Sequence, residues 1–329
     1  METRTLGRTG RPVSVIGLGC WQLGGDWGEV SEDDARAVLH AALDAGVSFL
    51  DTADVYGDGR SERLVGAVVA ERDDTDDVVV ATKAGRRADP HVAENYTPTA
   101  LRGWIDRSRT NLDVDRLDLL QLHCPPPGVF ADDEVFGALD EFVDEGAIAA
   151  YGVSVETCEQ ALSAIARPNV ASVQIIANVF RQKPFEQVMP AAVAAGVGVV
   201  VRVPLASGLL SGRYTKTTTF AADDHRTFNR GGEAFDVGET FAGVPYEVGV
   251  EAAQEVAQLA PEGMSPAQLG LRFLLDQPGV TTVIPGARNA TQVASNVGAA
   301  ALAPLGGELH GHLRGIYDAS IREHVHDRW

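Results

Sequence analysis

Four side chains have the types and spacing needed for acid–base chemistry: Asp51 and Tyr56 in DTADVYG, Lys83 in ATK and His123 in LQLH. A phenol with its ordinary pKa near ~10 donates protons poorly at neutral pH unless a cation stabilises the phenolate, and Lys83 could be that cation. Tyr56 would then protonate a carbonyl oxygen, while His123 orients the carbonyl and helps to relay the proton. Because no side chain of this set can deliver a hydride, the chemistry implies a bound redox cofactor.

The elements that must position these residues alternate between short apolar runs and longer amphipathic patterns, without a Pro/Gly/Ser-rich linker. The predicted strands are 15–19, 47–50, 78–82, 117–122, 149–153, 171–176, 197–203 and 280–284. Helices are predicted at 31–46, 60–72, from Thr97-Pro98 onward, and at 132–145, 156–166, 185–195, 248–260 and 265–277.

Eight such repeats predict a single α/β domain over residues 1–329, a closed (β/α)8 TIM barrel. In this fold, the residues that follow the strands meet at one face, so Asp51 can supply the counter-charge that a buried Lys83 needs. A doubly wound open sheet is the alternative. It is disfavoured because GLGCWQLGG, after the first strand, is not a G-x-G-x-x-G that opens a helix.

Two segments fall outside the repeat. Alternating residues on either side of the turn-rich sequence from Gly7 to Gly10 predict an N-terminal β-hairpin that caps the barrel floor. The segment 211–245 is long, rich in Gly, Thr and Asp, and without clear periodicity, which is typical of a functional lid or a partly disordered loop.

Composition bears on partners and location. A net charge of −19 disfavours binding to nucleic acid and to anionic membranes. No apolar run approaches the ~20 residues of a membrane-spanning helix, and the first residues lack a secretory signal. Three widely spaced cysteines indicate a reducing compartment, so we predict a cytoplasmic protein. Its oligomeric state is not predicted.

We predict no metal site. His324 and His326 lack a third ligand, and a frayed tail is expected there. Metal binding by Asp51 and His123 is disfavoured because Lys83 would repel a cation.

The motifs in order make the chain resemble the aldo-keto reductases. They are DTADVYG, Thr82-Lys83, QLH ending at His123, GVS ending at Ser154, VPLASGLLSGRY from Val203 and VIPGARNATQVASN from Val283. V-R-V-P-L, ending at Leu205, is similar to a bacterial branch of that family. The resemblance implies a TIM barrel that binds NAD(P)H in an extended pose across its C-terminal face. It also implies that Asp51, Tyr56, Lys83 and His123 are the catalytic tetrad.

The resemblance further implies a set of cofactor contacts. Ser154 and Gln174 match positions that hold the nicotinamide carboxamide, although Val155 replaces the usual asparagine. Arg202 stands where an aromatic residue often stacks on the nicotinamide, and an arginine plane could stack there or contact a phosphate. The full set is Cys20, Trp21, Asp51, Ser154, Gln174, Arg202, Pro204, Leu205, Ser207, Gly208, Leu210, Ile284, Gly286, Arg288, Gln292 and Asn296.

The form of the cofactor depends on the residues after the last strand. Many relatives hold a 2′-phosphate there with a Lys-Ser pair and a later Arg, whereas this chain has Gly286-Ala287 and Gln292. Arg288 can still bind a phosphate bidentately, and the helix that starts near Asn289 favours an anion. We therefore favour NADP(H) over NAD(H).

These observations predict an NAD(P)H-dependent enzyme that interconverts an aldehyde, ketone or sugar carbonyl with an alcohol. Trp21 and Trp27 are expected to wall the substrate pocket together with Tyr56 and His123, or else to pack in the core. A Schiff-base aldolase that uses Lys83 remains an alternative. So does a non-catalytic nucleotide-sensing subunit, because potassium-channel β-subunits resemble the same family. The identity of the substrate is not predicted.

Overall fold

The computed structural model describes residues 1–25 and 30–329, so Trp27 lies outside the described residues. Two strands, β1 (Thr3–Thr5) and β2 (Pro12–Ser14), pair antiparallel as a hairpin. Eight further strands run parallel in sequence order. They are β3 (Leu18–Gly19), β4 (Phe49–Asp51), β5 (Val79–Ala84), β6 (Leu119–His123), β7 (Tyr151–Ser154), β8 (Ser172–Ile176), β9 (Gly198–Arg202) and β10 (Thr282–Val283).

The eight-stranded sheet closes on itself at its two edges. Ile16 and Val283 form a parallel bridge, in which the amide of Gly17 donates to the carbonyl of Val283 at 2.9 Å. The amide of Val283 in turn donates to the carbonyl of Val15 at 3.0 Å. The predicted TIM barrel is therefore confirmed. The first strand is shorter than predicted: residues 15–17 contact the barrel sheet through the bridge to Val283, the amide of Val15 bonds to Glu2, and the regular strand begins at Leu18.

Helices surround the barrel. They are α1 (Glu32–Asp44), α2 (Arg60–Ala70), α3 (Pro98–Leu112), α4 (Asp133–Asp144), α5 (Cys158–Ile165), α6 (Lys183–Ala195), α7 (His225–Phe228), α8 (Tyr246–Gln258), α9 (Pro266–Leu275), α10 (Ala290–Gly298), α11 (Gly307–Ile316) and α12 (Arg322–Val325). The side chains of Ser31 and Thr97 cap α1 and α3, because each accepts a hydrogen bond from an amide of the first turn. None of the helices within the described ranges has the length and apolar character needed to cross a membrane.

The hairpin seals the floor of the barrel, as predicted. Leu6 and Val13 are fully buried against residues of the barrel strands such as Phe49 and Val200. The Arg8 guanidinium donates to main-chain carbonyls of three residues on the neighbouring α/β connections, Arg167, Val170 and Ala195. These bonds satisfy carbonyls at the bottom of the barrel and fix the hairpin in place.

The segment 211–245 and the last residues are both ordered by packing. The segment contains α7 and two short 3₁₀ turns, Val237–Glu239 and Phe241–Gly243. The frayed tail predicted near His324 is wrong, because α12 continues the C-terminal helix and the Trp329 ring is 6% exposed. Trp329 donates from Nε1 to Asp236 at 3.0 Å, and this contact joins the two segments.

Replacing Gly7 should destabilise the fold strongly. Its φ of +47° is a left-handed conformation, and a Cβ there would lie 2.2 Å from the carbonyl oxygen of Ala171 and the amide of Gly198. We expect Gly7→Ala to lower the free energy of unfolding by ~3 kcal/mol or more in urea denaturation. Gly10→Ala is the matched control: Gly10 has a φ of +68° but open space around it, so a loss of about 1 kcal/mol is expected. Equal losses in the two variants would contradict this account of the floor.

Candidate active site

A buried ion pair lies at the C-terminal end of β4 and β5. The Lys83 ammonium is 2.5 Å from the Asp51 carboxylate and is itself 1% exposed. It also donates to the carbonyl of Thr52 at 2.9 Å and to the hydroxyl of Tyr56 at 3.2 Å. Burial alone would lower the pKa of Lys83, but Asp51 and Tyr56 outweigh it and raise that pKa above its usual value. Lys83 is therefore a cation at neutral pH.

Two glutamine amides hold the second oxygen of Asp51. Gln121 and Gln174 donate to it at 3.1 and 2.7 Å, and the Gln174 amide also donates to the side-chain oxygen Oε1 of Gln121 at 3.1 Å. Because both amide hydrogens of Gln174 are used in this way, only its carbonyl oxygen is available to a ligand. Gln121 is a site residue that sequence reasoning missed. The sequence does indicate Gln121, because it lies two residues before His123 and alternate residues of a strand point to the same face.

Tyr56 follows β4 and lies between Lys83 and the aromatic residues of the site. Its ring centroid is 5.9 Å from that of His123 in an edge-on arrangement and 6.1 Å from that of Trp21. Burial raises the pKa of Tyr56, and Lys83 offsets only part of that rise. The phenol is therefore protonated at neutral pH, which is the state of a proton donor.

His123 is an uncharged imidazole at neutral pH. Burial and the nearby cations Arg86 and Lys83 hold its pKa well below the usual range. Its Nδ1 has no hydrogen-bond partner among the described residues, although the side chain is only 4% exposed. Such a ring can donate one hydrogen bond to a ligand, so the geometry favours the orienting role of His123 over proton relay through an imidazolium.

The sheet register brings the predicted carboxamide-binding residues next to this centre. His123 is opposite Ser154, and Ser154 is opposite Gln174, on adjacent strands. Arg202 ends β9, donates to the carbonyl of Val155 at 3.0 Å and is 8% exposed. These side chains line one wall of the barrel mouth beside the ion pair.

The loop after β9 provides a backbone cradle. Val203, Ala206, Ser207 and Gly208 all have positive φ angles, and such reversals of the chain can form concave sites for anions. The Ser207 hydroxyl donates to the carbonyl of Glu239 and accepts from the amide of Phe241, so it ties this loop to segment 211–245. Of the other predicted residues in the loop, Pro204 and Leu210 are buried and Leu205 is half-buried.

The N-terminal end of α10 gathers the predicted contacts to the far end of a cofactor. Asn289 caps the helix, and the Gln292 side chain accepts from the amide of Arg288 at 2.8 Å. Asn296 donates to the carbonyl of Gly286 at 3.2 Å. The Arg288 guanidinium is half-exposed and lies 3.7 Å from the carboxylate of Asp224. This end of the site therefore carries an accessible cation beside a helix N-terminus.

Two residues predicted to contact the cofactor have few atoms left for a ligand, because they are buried or hydrogen-bonded within the protein. The Cys20 thiol is buried and donates to the carbonyl of Leu18, while the Cys20 amide donates to Asp51 and its carbonyl accepts from Ser61. Ile284 is 6% exposed and packs with the barrel interior.

Trp21 and the ordered segment 211–245 form an aromatic wall. The Trp21 ring lies 4.9 Å from the His225 ring and 5.6 Å from the Phe235 ring, centroid to centroid. An apolar wall beside Tyr56 and His123 suits a carbonyl substrate. The other tryptophan predicted for this wall, Trp27, falls in the undescribed stretch of the chain.

Comparison with known proteins agrees with this geometry. The sequence model of the Aldo/keto reductase family matches residues 15–318. The chain belongs to this family. The family match, together with relatives named as reductases and oxidoreductases, identifies the chain as an NAD(P)H-dependent oxidoreductase.

Relatives in this family differ in their named roles. The aldo-keto reductase YhdN of Bacillus subtilis is 31% identical over 297 residues, which cover 89% of this chain and 87% of YhdN. A probable voltage-gated potassium channel subunit beta of Oryza sativa subsp. japonica is 30% identical over 323 residues, 93% of each chain. The solved holo form of aldo-keto reductase AKR11C1 from Bacillus halodurans superposes with a TM-score of 0.77 at 27% identity, covering 96% of each chain.

One acid of the DTADVYG motif is not part of the proton-transfer centre but should affect stability. Both carboxyl oxygens of Asp54 are buried without a hydrogen-bond partner among the described residues. Burial, and then the charge of Glu62, raise the pKa of Asp54 to about 7. The native protein therefore keeps this proton up to about pH 7, whereas the unfolded chain loses it near pH ~4. Stability from this group falls as pH rises through that window.

We expect Asp54→Asn to be more stable than the parent protein at pH 8 by roughly 2 to 4 kcal/mol, and equally stable near pH ~4. Urea denaturation across pH measures this. Asp58→Asn is the control, because the exposed Asp58 pairs with Arg87 and Arg107 and should give no gain at pH 8. A pH-independent difference between Asp54→Asn and the parent would show that Asp54 does not titrate in this window.

Proposed function

We propose that this aldo-keto reductase interconverts a carbonyl compound and an alcohol with Tyr56 as the general acid and base. The observation that carries the proposal is the position of the Lys83 ammonium, 2.5 Å from Asp51 and 3.2 Å from the Tyr56 hydroxyl. A cation fixed at that point stabilises the phenolate that forms when Tyr56 gives up its proton.

Each residue of the centre has a separate task in carbonyl reduction. Tyr56 donates its proton to the carbonyl oxygen as negative charge develops there. Lys83 stabilises the resulting phenolate, and Asp51 keeps Lys83 charged and in place. The neutral His123 ring donates a hydrogen bond that orients the carbonyl oxygen toward the Tyr56 hydroxyl. In alcohol oxidation, the phenolate of Tyr56 accepts the hydroxyl proton.

The hydrogen-bond donors and acceptors around the centre fit a nicotinamide dinucleotide. When bound, that cofactor supplies the hydride which the side chains cannot provide. The Ser154 hydroxyl and the Gln174 carbonyl suit a carboxamide, and Arg202 offers a flat cation beside them. The reversed backbone of the loop after β9 suits a diphosphate. We infer that NADP(H) is preferred, because Arg288 and the N-terminus of α10 suit a 2′-phosphate.

The two alternative functions are less well supported. A Schiff-base lysine must be neutral and reach its substrate. Lys83 is charged, 1% exposed and bonded to Asp51, Thr52 and Tyr56. A purely sensory subunit needs no proton donor, yet here Tyr56 lies with its hydroxyl on Lys83 and its ring edge-on to His123.

Tyr56→Phe tests the role of the phenol. Without the hydroxyl, we expect turnover to fall by ~10²-fold or more, while NADPH affinity stays nearly unchanged. Steady-state kinetics on a panel of aldehydes, sugars and alcohols, with NADPH binding followed by tryptophan fluorescence, measures both quantities. Tyr96→Phe is the control, because it removes a buried hydroxyl that bonds to His91 and not to Lys83. Parallel losses of binding and turnover in Tyr56→Phe would refute the assignment.

Arg288→Gln tests the preference for NADP(H). We expect NADPH binding to weaken by ~10-fold or more and NADH binding to change little, because only NADPH carries the 2′-phosphate. Fluorescence titration with each nucleotide gives the two dissociation constants. Lys216→Gln is a matched loss of charge in segment 211–245, since Lys216 pairs with Glu251 on α8. An equal effect of Arg288→Gln on both nucleotides would argue against 2′-phosphate recognition by this residue.

A further inference from the structure

A second cluster of charged side chains borders the catalytic centre. The Glu239 carboxylate, which is 5% exposed, is 2.5 Å from the Arg86 guanidinium and 3.6 Å from that of Arg202. Glu156 lies 3.5 Å from Arg86 and is more exposed. Arg86, Glu156 and Glu239 take no part in the proton transfer at Tyr56.

The positions of these residues place the cluster at the barrel mouth. Arg86 comes three residues after Lys83, Glu156 two residues after Ser154, and Arg202 is the last residue of β9. Arg202 Nη2 lies 3.7 Å from the sulfur of Cys124, the residue that follows His123, and both Arg86 and Arg202 lower the pKa of His123. An anion held between the two arginines would therefore lie close to the group that orients the substrate.

Glu239 reaches this position from segment 211–245, not from a barrel strand. Its 3₁₀ turn is held by the Ser207 hydroxyl on one side and by Trp329 on the other, through Asp236. Arg181 stacks on the Trp329 ring and donates to the carbonyl of Ala242 at 3.0 Å. The barrel thus supplies both arginines, while a separate segment supplies the carboxylate between them.

The arginines are not fully satisfied by Glu239. The Nε of Arg202 is buried and has no hydrogen-bond partner among the described residues. Its Nη2 donates to the carbonyl of Val155 and lies 3.7 Å from the Cys124 sulfur, a weak acceptor. A guanidinium can make two parallel bonds to a carboxylate, whereas the Glu239 oxygen remains 3.6 Å away.

A metal ion does not explain the cluster. Ligand atoms of Cys124, Glu156 and Glu239 lie within 4.8 Å of one another. However, Arg86 and Arg202 already place two positive charges against these carboxylates, and burial raises the pKa of the Cys124 thiol. These two positive charges balance those of Glu156 and Glu239, so the cluster has no net negative charge to hold a cation.

We propose that Arg86 and the N–H edge of Arg202 form a subsite for the carboxylate of an acidic carbonyl substrate, and that Glu239 occupies this subsite as an internal carboxylate. The flat face of the Arg202 guanidinium remains available to the nicotinamide. This inference rests on the proposed function, because it identifies the class of molecule that is reduced beside Tyr56. The substrate's carboxylate replaces Glu239 between the arginines, and its aldehyde or ketone group extends to Tyr56 and His123. Displacement of Glu239 then couples substrate binding to segment 211–245.

The first test compares 4-oxobutanoate with butanal, which has the same chain length but no carboxylate. We expect kcat/KM with NADPH to favour the acid by ~10-fold or more, because its charge is paired with buried guanidinium groups. Arg86→Gln should remove most of this preference, and Arg86→Lys should restore part of it. Arg87→Gln is the control, because Arg87 pairs with Asp58 on the exposed side of the same loop. An unchanged ratio in Arg86→Gln would overturn the subsite.

The second test measures binding without turnover. Glu239→Gln keeps the shape of the side chain and removes the internal charge. Butanoate should therefore bind this variant at least ~10-fold more tightly than it binds the parent protein, as measured by calorimetric titration. Butanamide, which is uncharged, should not discriminate between the two proteins. The double variant Glu239→Gln/Arg86→Gln should lose the gain. Equal butanoate affinity in the parent protein and in Glu239→Gln would also overturn the subsite.

The two tests separate the possible failures. If neither aldehyde is reduced with NADPH or NADH, the proposed function fails for these substrates, and the calorimetry alone decides whether the anion subsite exists. If the arginines instead hold the diphosphate of the cofactor, Arg86→Gln will weaken NADPH binding and affect both aldehydes equally. That result would overturn the assignment to a substrate carboxylate.

Discussion

The ion pair between Lys83 and Asp51 is the interaction on which the rest of the site depends. Taking two charges out of water costs several kcal/mol per ion unless hydrogen bonds satisfy the remaining donors and acceptors. Here Lys83 donates to Thr52 and Tyr56 as well as to Asp51, and both oxygens of Asp51 are bonded. The charged atoms of the pair are thus hydrogen-bonded to protein groups that replace water. One of these groups is the hydroxyl of Tyr56, whose phenolate Lys83 stabilises.

The barrel brings the hydrogen-bond partners of the ion pair together. Asp51 ends β4, Lys83 lies on β5, and the two glutamines that hold Asp51 come from β6 and β8. Parallel strands in register present these side chains at one end of a closed sheet, where water is excluded by the strands below. The hairpin beneath the barrel protects the opposite end, since Leu6 and Val13 fill its floor.

Much of this arrangement could be predicted from the sequence because each residue of the centre directly follows or ends an apolar run. The buried strands set the positions of Asp51, Lys83 and His123, and the fold then brings them together. Contacts with segment 211–245 could not be predicted in this way. Arg86 and Glu239 are 153 residues apart, and the sequence around Glu239 has no periodicity that indicates a partner. The order of the C-terminal residues was missed for the same reason, since it depends on the stacking of Trp329 on Arg181.

The central claim is that this charged centre protonates a carbonyl while a bound nicotinamide reduces it. Its most direct test is to incubate the protein with an aldehyde and NADPH in which both hydrogens at C4 of the nicotinamide are deuterium, and to locate the label in the alcohol by mass spectrometry and NMR. The account predicts one deuterium on the carbinol carbon, and a primary isotope effect in a single turnover. An alcohol without the label, or an aldehyde trapped by borohydride on Lys83, would contradict it.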